Sequence, residues 1–156
     1  MRHVARAGLV TLLCGLLVGV GGCTAPRDDR TRAEIETDVQ ARVAEVAAFF
    51  GELVEDRATN WYECDPAWDQ SGERYYYTAT VQTEYAVYED FIDELWPRLE
   101  NDGWTLHDDP EDQRRPKNIT LTRNGVGAVV RFIDPAQERD VVFVSTGVGC
   151  VRPADY

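Results

Sequence analysis

Residues 75–83 have the sequence YYYTATVQT, in which the side chains alternate between two faces of the chain. One face carries Tyr75, Tyr77, Ala79 and Val81, and the other carries Tyr76, Thr78, Thr80 and Gln82. A period of two with one apolar face is typical of a β-strand that is buried on one side only. The stretch therefore predicts a half-buried strand with a polar outer face.

The segment before this strand predicts a long amphipathic helix. Residues 31–34, TRAE, have the form of a capping box, in which threonine and glutamate satisfy the first backbone N–H groups of a helix. Apolar residues follow at spacings of three and four, namely Ile35, Val39, Val43, Val46, Phe50, Leu53 and Val54. We expect the helix to end near residues 55–57 and its stripe to pack on the domain's own sheet. The alternative is packing against a partner helix.

The segment after the strand predicts a second helix and then a meander of strands. The second helix carries Val87, Tyr88, Phe91, Leu95 and Leu99, is interrupted by Pro97, and stops at the NDG of residues 101–103. A strand begins at Trp104 and Leu106, and Asn124-Gly125 supplies the turn of a hairpin over residues 118–134. Residues 139–150 form the last strand.

This order of elements predicts the fold class. One helix precedes the first strand, a second helix crosses to the next strand, and three further strands follow. We expect an α+β fold: a two-layer sandwich of a mostly antiparallel sheet with two helices on one face. Residues 31–156 would form this single domain.

The N-terminus predicts a targeting segment, residues 1–22, that is removed. Arg2 and Arg6 precede residues 7–20, which carry no charge. That apolar run is shorter than the roughly 20 residues that a membrane-spanning helix needs, so we favour a signal peptide.

Val20, Gly21, Gly22 and Cys23 resemble the lipobox of bacterial lipoproteins. The resemblance implies that the Cys23 thiol carries a diacylglycerol and that Cys23 becomes the N-terminus after cleavage. Several acyl chains hold a protein durably on a bilayer. Residues 23–30 would then be a lipidated tether on the outer face of the cytoplasmic membrane. The alternative is an ordinary secretory signal that is cleaved nearby, for example after Ala25.

Composition excludes nucleic acid as a partner. The mature chain would have 156 − 22 = 134 residues. Its net charge would be 14 − 28 = −14, because Arg2 and Arg6 leave with the signal peptide. Phosphate backbones and anionic headgroups repel such a surface. We therefore expect the body of the domain to stand away from the membrane.

Two of the four cysteines remain after processing and lipidation, Cys64 and Cys150. An exported domain with two remaining cysteines most simply forms one disulfide. Their spacing is not that of a CxxC redox motif, and with one histidine they do not complete a structural zinc site. We expect a stabilising bridge and no metal or cofactor.

The sequence contains no recognisable catalytic motif. His107 is the one histidine left after processing, and no serine or cysteine pairs with it in a known motif. A small secreted hydrolase that uses His107 and nearby carboxylates is the alternative function. The acidic run Asp108, Asp109, Glu111 and Asp112 lacks the ligand pattern of an EF-hand, so a solvated loop is favoured over a calcium site.

Aromatic residues are concentrated between positions 61 and 88: Trp61, Tyr62, Trp68, Tyr75, Tyr76, Tyr77, Tyr85 and Tyr88. Trp68 lies in an irregular loop, and Tyr76 lies on the polar face of the strand. Exposed aromatic side chains stack on sugars or contact partner proteins, so Trp68 and Tyr76 are the candidate ligand contacts. The alternative is that the loop aromatics cover the disulfide and the sheet edge.

The layout of signal peptide, lipobox, helix, loop cysteine, aromatic strand, helix and final cysteine resembles the small lipoproteins of actinobacteria, such as the mycobacterial LppA-like proteins. The resemblance implies no catalytic residues. It favours a non-enzymatic module, held by its lipid anchor, that binds an envelope glycan, another envelope component or an exported protein. A sensor subunit of a membrane partner is a third hypothesis.

The lipobox generates a direct test at Cys23. Replacing Cys23 with serine removes the thiol that lipid would alkylate, so we expect the variant to lose incorporation of a radioactive fatty acid. The label is measured in the detergent phase after phase separation. Label at the wild-type level in Cys23→Ser would refute the anchor.

Overall fold

The computed structural model describes residues 24–58, 60–108, 117–133 and 140–156. Its helices are α1 (Arg32–Phe50), α2 (Tyr88–Asp90), a π-helical turn (Phe91–Leu95) and α3 (Trp96–Asn101). The last three segments follow one another directly and are together called the second helix. The strands are β1 (Glu52–Ala58), β2 (Tyr62–Glu63), β3 (Glu73–Gln82), β4 (Thr105–Asp108), β5 (Asn118–Arg123), β6 (Val126–Phe132) and β7 (Val141–Val151).

The seven strands form one sheet in the order β1-β3-β7-β6-β5-β4, and β2 also pairs with β3. Every pair of neighbouring strands is antiparallel. β3 and β4 therefore point in the same direction across three intervening strands, and the second helix is the crossover between them. The predicted α+β fold with a mostly antiparallel sheet is confirmed.

Both helices pack on one face of the sheet. The inward side chains of β3, Tyr75, Tyr77, Ala79 and Val81, are buried, as the alternation predicts. The α1 residues Ile35, Val39, Val43 and Val46 are fully buried against the sheet. The ring of Phe50 at the end of α1 stacks on Phe91 of the second helix with centroids 5.6 Å apart. The α1 stripe is thus part of the domain's own core, and the alternative of a partner helix is wrong.

The prediction that α1 extends to residues 55–57 is wrong. α1 ends at Phe50, and residues 52–58 form the edge strand β1. A Cβ atom at Gly51 would overlap the carbonyl oxygen of Gln82, so the close approach of β3 requires glycine there. Leu53 and Val54 continue the helical period in sequence but are 53% and 61% exposed. Tertiary pairing with β3 overrides the period.

Two local predictions are confirmed. The capping box forms: the Glu34 N–H donates to Thr31 Oγ1 at 3.3 Å, and the Thr31 N–H donates to Glu34 Oε2 at 2.7 Å. The hairpin turn has φ of 52° at Asn124 and 79° at Gly125, which are the left-handed conformations of a type I′ turn. Local hydrogen bonds and turn geometry therefore follow the sequence.

Gly147 on β7 provides a test of the β3–β7 packing. A Cβ atom there would overlap the carbonyl oxygen of Tyr75 and lie 2.5 Å from Cδ1 of Tyr76. We expect Gly147→Ala to lower the free energy of unfolding by about 1–3 kcal/mol. Gly149 on the same strand has no atom within 4 Å of such a Cβ, so Gly149→Ala is the matched control.

The measurement is urea unfolding of both variants with the disulfide intact. We expect the control to stay within about 0.5 kcal/mol of the wild type. Equal stability of the two variants would contradict the close approach of β7 to Tyr75 and Tyr76.

Candidate functional site

The candidate site lies at the end of the sheet where the described chain begins. Cys23 and the signal peptide lie outside the described residues. The next residues lie on the body of the domain: the Ala25 N–H donates to Gln70 O at 3.0 Å, and the Arg152 N–H donates to Pro26 O at 2.9 Å. The predicted tether is therefore pinned to β7 from Ala25 onward. Its backbone groups find partners far away in the sequence, which the local composition does not reveal.

An ion pair strengthens this attachment. The Arg30 guanidinium bonds both carboxylate oxygens of Asp28, with Nη2 2.7 Å from Oδ2, and also reaches Asp38 on α1 at 2.9 Å. The hydrogen bonds from Arg30 lower the pKa of Asp28 to about 2, although burial acts in the opposite direction. The segment before α1 is thus tied to the helix as well as to β7.

The predicted disulfide between Cys64 and Cys150 is confirmed, with Cα atoms 6.0 Å apart. Cys64 follows β2 and Cys150 lies near the end of β7. The bridge therefore joins the loop of residues 64–72, which carries Trp68 and which we call the aromatic loop, to the last strand. It lies next to the segment of residues 24–30.

A cleft of about 460 Å³, which we call the Trp68 cleft, opens beside the disulfide. Its walls come from the N-terminal segment, the aromatic loop and the end of β7: Thr24, Ala25, Pro26, Cys64, Asp65, Trp68, Ser71 and Cys150. Trp68 is 44% exposed, so much of its indole ring is accessible to solvent. Trp68 is one of the candidate contacts that the sequence predicted. Thr24–Pro26 and Ser71 were not predicted as lining residues, because only the fold brings them to the cleft.

The loop that carries Trp68 is held by its own hydrogen bonds. Ser71 Oγ accepts from the Asp65 N–H at 3.0 Å and donates to the Asp65 carbonyl oxygen at 2.9 Å. The Trp68 N–H donates to Asp65 O at 3.0 Å, and the Trp68 carbonyl accepts from the Ser71 N–H at 2.8 Å. The Cys64 N–H bonds Gly72 O across the base of the loop at 2.9 Å. Trp68 is therefore presented from a closed, bonded turn.

The structure does not bring Tyr76 into this cleft. Tyr76 lies on the outer face of β3, where it is 43% exposed and its ring lies over Gly147 of β7. An aromatic ring over a cross-strand glycine covers backbone that glycine leaves bare. Part of the Tyr76 surface therefore serves the sheet, and Trp68 is the better candidate contact.

Trp61 shows that some of the aromatic residues have a structural role. Its indole N–H donates to Glu36 Oε1 on α1 at 2.7 Å, and its ring stacks on Tyr75 with centroids 5.4 Å apart. The Arg32 guanidinium lies 6.0 Å from the Trp61 ring centroid. Trp61 thus joins α1 to β3.

His107 lies on the edge strand β4 and is exposed. Its Nε2 is 3.1 Å from Thr122 Oγ1 on the neighbouring strand β5. The Trp68 cleft is not lined by His107. A histidine and a hydroxyl at this distance have the reach of a base and a nucleophile, but they lie on the open surface of a sheet edge.

The acidic run after β4 falls mostly outside the described residues, which include the backbone of Asp108 but neither Asp109, Glu111 nor Asp112. Within the described ranges, no group of three histidine, cysteine, aspartate or glutamate side chains is arranged to hold a metal ion. Across those same ranges, each helix is too short or too polar to cross a bilayer.

Comparison with known proteins yields no relative: no family model, no curated protein and no solved structure matches the chain. The resemblance to actinobacterial lipoproteins stays a prediction from the layout of residues.

The ion pair between Asp28 and Arg30 predicts how the free energy of unfolding depends on pH. The folded pKa of about 2 lies below the value of about 3.9 for an unfolded aspartate, so the pair stabilises the fold above about pH 4. This contribution is lost as the pH falls toward about 2. The Arg30 side chain is 41% exposed, so water screens part of the attraction between the two charges. We expect Asp28→Asn to lower the free energy of unfolding by on the order of 1 kcal/mol near neutral pH.

The check is urea unfolding of wild type and Asp28→Asn at several pH values. The difference between them should shrink toward zero at about pH 2. Asp29→Asn is the control, because Asp29 is exposed and forms no ion pair within the described part of the chain. A difference that is constant over the whole pH range would contradict this prediction.

Proposed function

We propose that the protein is a lipid-anchored, non-enzymatic module on the outer face of the cytoplasmic membrane. In this proposal it binds an envelope component through the Trp68 cleft. The observation that carries the proposal is an exposed tryptophan on a closed loop, at the end of the domain where the chain leaves Cys23. The lipobox supports the anchor, and the cleft supports binding.

The lining of the cleft favours a saccharide. The indole of Trp68 offers a flat apolar surface on which the C–H face of a sugar ring stacks. The polar side chains of Thr24 and Asp65 stand at the same cleft and can bond hydroxyl groups. A volume of about 460 Å³ lies within the usual range for small-molecule sites and admits one or two sugar rings.

The rigidity of the loop supports binding as its role. Ordering a flexible side chain or loop on binding costs free energy, which lowers affinity. The Cys64–Cys150 bridge and the Ser71 hydrogen bonds fix the loop before a ligand arrives. Little ordering then remains to oppose the contact with Trp68.

The position of the cleft supports an envelope ligand. Thr24 lines the cleft and directly follows Cys23 in the chain. A ligand in the cleft of the anchored protein would therefore lie close to the membrane surface. An exported protein is the alternative occupant, and the absence of saccharide binding to the wild type would favour it.

A hydrolase remains the second candidate function because of one contact, the 3.1 Å approach of His107 Nε2 to Thr122 Oγ1. General base catalysis of this kind also needs a cleft that holds the substrate and donors for the developing charge. His107 lies on the edge strand β4 and Thr122 on the neighbouring strand β5, and neither residue lines the Trp68 cleft. The exposed edge favours the binding module over the enzyme.

The test is binding of saccharide fragments, released from the envelope of the source cells, to the purified protein. Titration of tryptophan fluorescence measures wild-type binding, and calorimetry compares the variants. We expect Trp68→Ala to weaken binding by about 10- to 30-fold, as for loss of a central aromatic contact. Its free energy of unfolding should change by less than about 1 kcal/mol, because the side chain is half exposed.

Tyr62→Ala is the matched control. Tyr62 lies on the adjacent strand β2 and is 49% exposed, but it does not line the cleft. We expect this variant and His107→Ala to bind as the wild type does. Equal loss in Tyr62→Ala and Trp68→Ala would mean that the cleft is not the site. Turnover of a fragment that disappears in His107→Ala would replace the binding module with the hydrolase.

A further inference from the structure

Two arginines are brought side by side next to the anchored end of the chain. Arg27 and Arg152 are partners in a parallel bridge between the N-terminal segment and the end of β7. Two backbone hydrogen bonds of 2.9 Å fix this bridge, from the Arg152 N–H to Pro26 O and from the Asp28 N–H to Arg152 O. The fold therefore determines the proximity of the two side chains.

Arg27 and Arg152 line a small cleft of about 190 Å³ together with Pro153, Ala154 and Tyr156. The Arg152 Nε donates to the Ala25 carbonyl at 3.0 Å, which orients the guanidinium. Within the described residues, neither guanidinium forms an ion pair with a carboxylate. Arg30, Arg32 and Arg123 each form two.

The acidic residue nearest in sequence to each arginine, Asp28 for Arg27 and Asp155 for Arg152, is already engaged, whereas Asp29 is exposed and pairs with neither arginine within the described residues. Asp28 is bound by Arg30 at 2.7 Å. Asp155 accepts from the Arg32 backbone N–H at 2.9 Å and pairs with the Arg32 guanidinium at 3.6 Å. Two positive charges thus stand together in a chain with a net charge of −12. Like charges in this arrangement repel each other unless an anion lies between them.

The cleft has the size and the donors for one anionic group. Its volume is below the usual range for a site that encloses a whole small molecule, so it suits a single phosphate-sized group. Guanidinium groups present paired N–H donors whose spacing matches the oxygens of phosphate. Two arginines line this one cleft, and we call the pair the arginine clamp.

The location of the clamp identifies the source of the phosphate. Arg27 is four residues from Cys23, so at about 3.3 Å per residue it lies within roughly 13 Å of the lipidated residue. We propose that Arg27 and Arg152 bind the phosphate of an anionic phospholipid headgroup and orient the domain with this end toward the bilayer. This inference rests on the proposed lipid anchor. The acidic remainder of the surface would then face away from the membrane.

The experiment uses the full-length protein isolated from its membranes and reconstituted into nanodiscs. One set contains phosphatidylcholine alone, and the other contains phosphatidylcholine with phosphatidylglycerol. Arginines are modified with phenylglyoxal, and the rate at each site is measured by peptide mass spectrometry. We expect the anionic lipid to slow modification of Arg27 and Arg152 about tenfold. The exposed Arg98 on the second helix should show no change.

A third arm adds soluble glycerol phosphate to the phosphatidylcholine discs at the same total phosphate concentration. Protection of both arginines in this arm, equal to that by the anionic lipid, would overturn the membrane assignment in favour of a site for free phosphate. No protection in any arm would overturn the clamp itself. A variant with Arg27→Gln and Arg152→Gln should lose the orientation, measured as quenching of tryptophan by brominated lipid, whereas Arg98→Gln should keep it.

The same digest separates this inference from the proposed anchor. The N-terminal peptide reports the acyl mass on Cys23. An acylated Cys23 with both arginines unprotected would overturn the clamp and leave the anchor intact. A Cys23 peptide without lipid would refute the anchor, and the headgroup assignment would fail with it.

Discussion

The fold depends on burial of the α1 stripe against the inward face of β3 and β7. Ile35, Val39, Val43 and Val46 are fully buried there, as are Val142 and Val144 on β7. Burying one such side chain stabilises a fold by roughly 1.5–3 kcal/mol, so this contact provides much of the core of a small domain. Because both helices pack on the same face, the outer face of the sheet stays open within the described part of the chain.

The end of the sheet near the N-terminus is built differently, through specific polar and covalent contacts. The Cys64–Cys150 bridge, the bonded loop around Trp68 and the segment of residues 24–30 all meet there. Gly72 has φ of 75°, and a Cβ at this position would lie 2.5 Å from Val151 O and 2.6 Å from the Ala25 Cβ. This end is therefore shaped by close approaches of backbone that only glycine permits. Both candidate binding features, the Trp68 cleft and the paired arginines, result from that construction.

Trp68 and His107 lie in different surroundings, and the difference favours binding over catalysis. Trp68 stands over a cleft on a loop that a disulfide and a buried serine hold in place. His107 lies on an edge strand and bonds one hydroxyl. A fixed apolar surface with a few polar groups suits recognition, whereas catalysis needs a substrate held against several positioned groups. The surroundings of Trp68 therefore suit recognition better than the surroundings of His107 suit catalysis.

The sequence by itself determined the features that depend on near neighbours in the chain. The alternation in residues 75–83, the capping box at Thr31 and the Asn124-Gly125 turn each depend on local periodicity or local hydrogen bonds, and each is confirmed. The disulfide followed from elimination among four cysteines. The tertiary structure alone decided that α1 stops at Phe50, since Leu53 and Val54 fit a helical period and only pairing with β3 makes them a strand. It also decided that residues 24–30 pack on β7, that Trp61 joins the core while Trp68 stays exposed, and that Arg27 meets Arg152. These outcomes depend on partners more than 20 residues away in the chain, and no local pattern encodes such a partner.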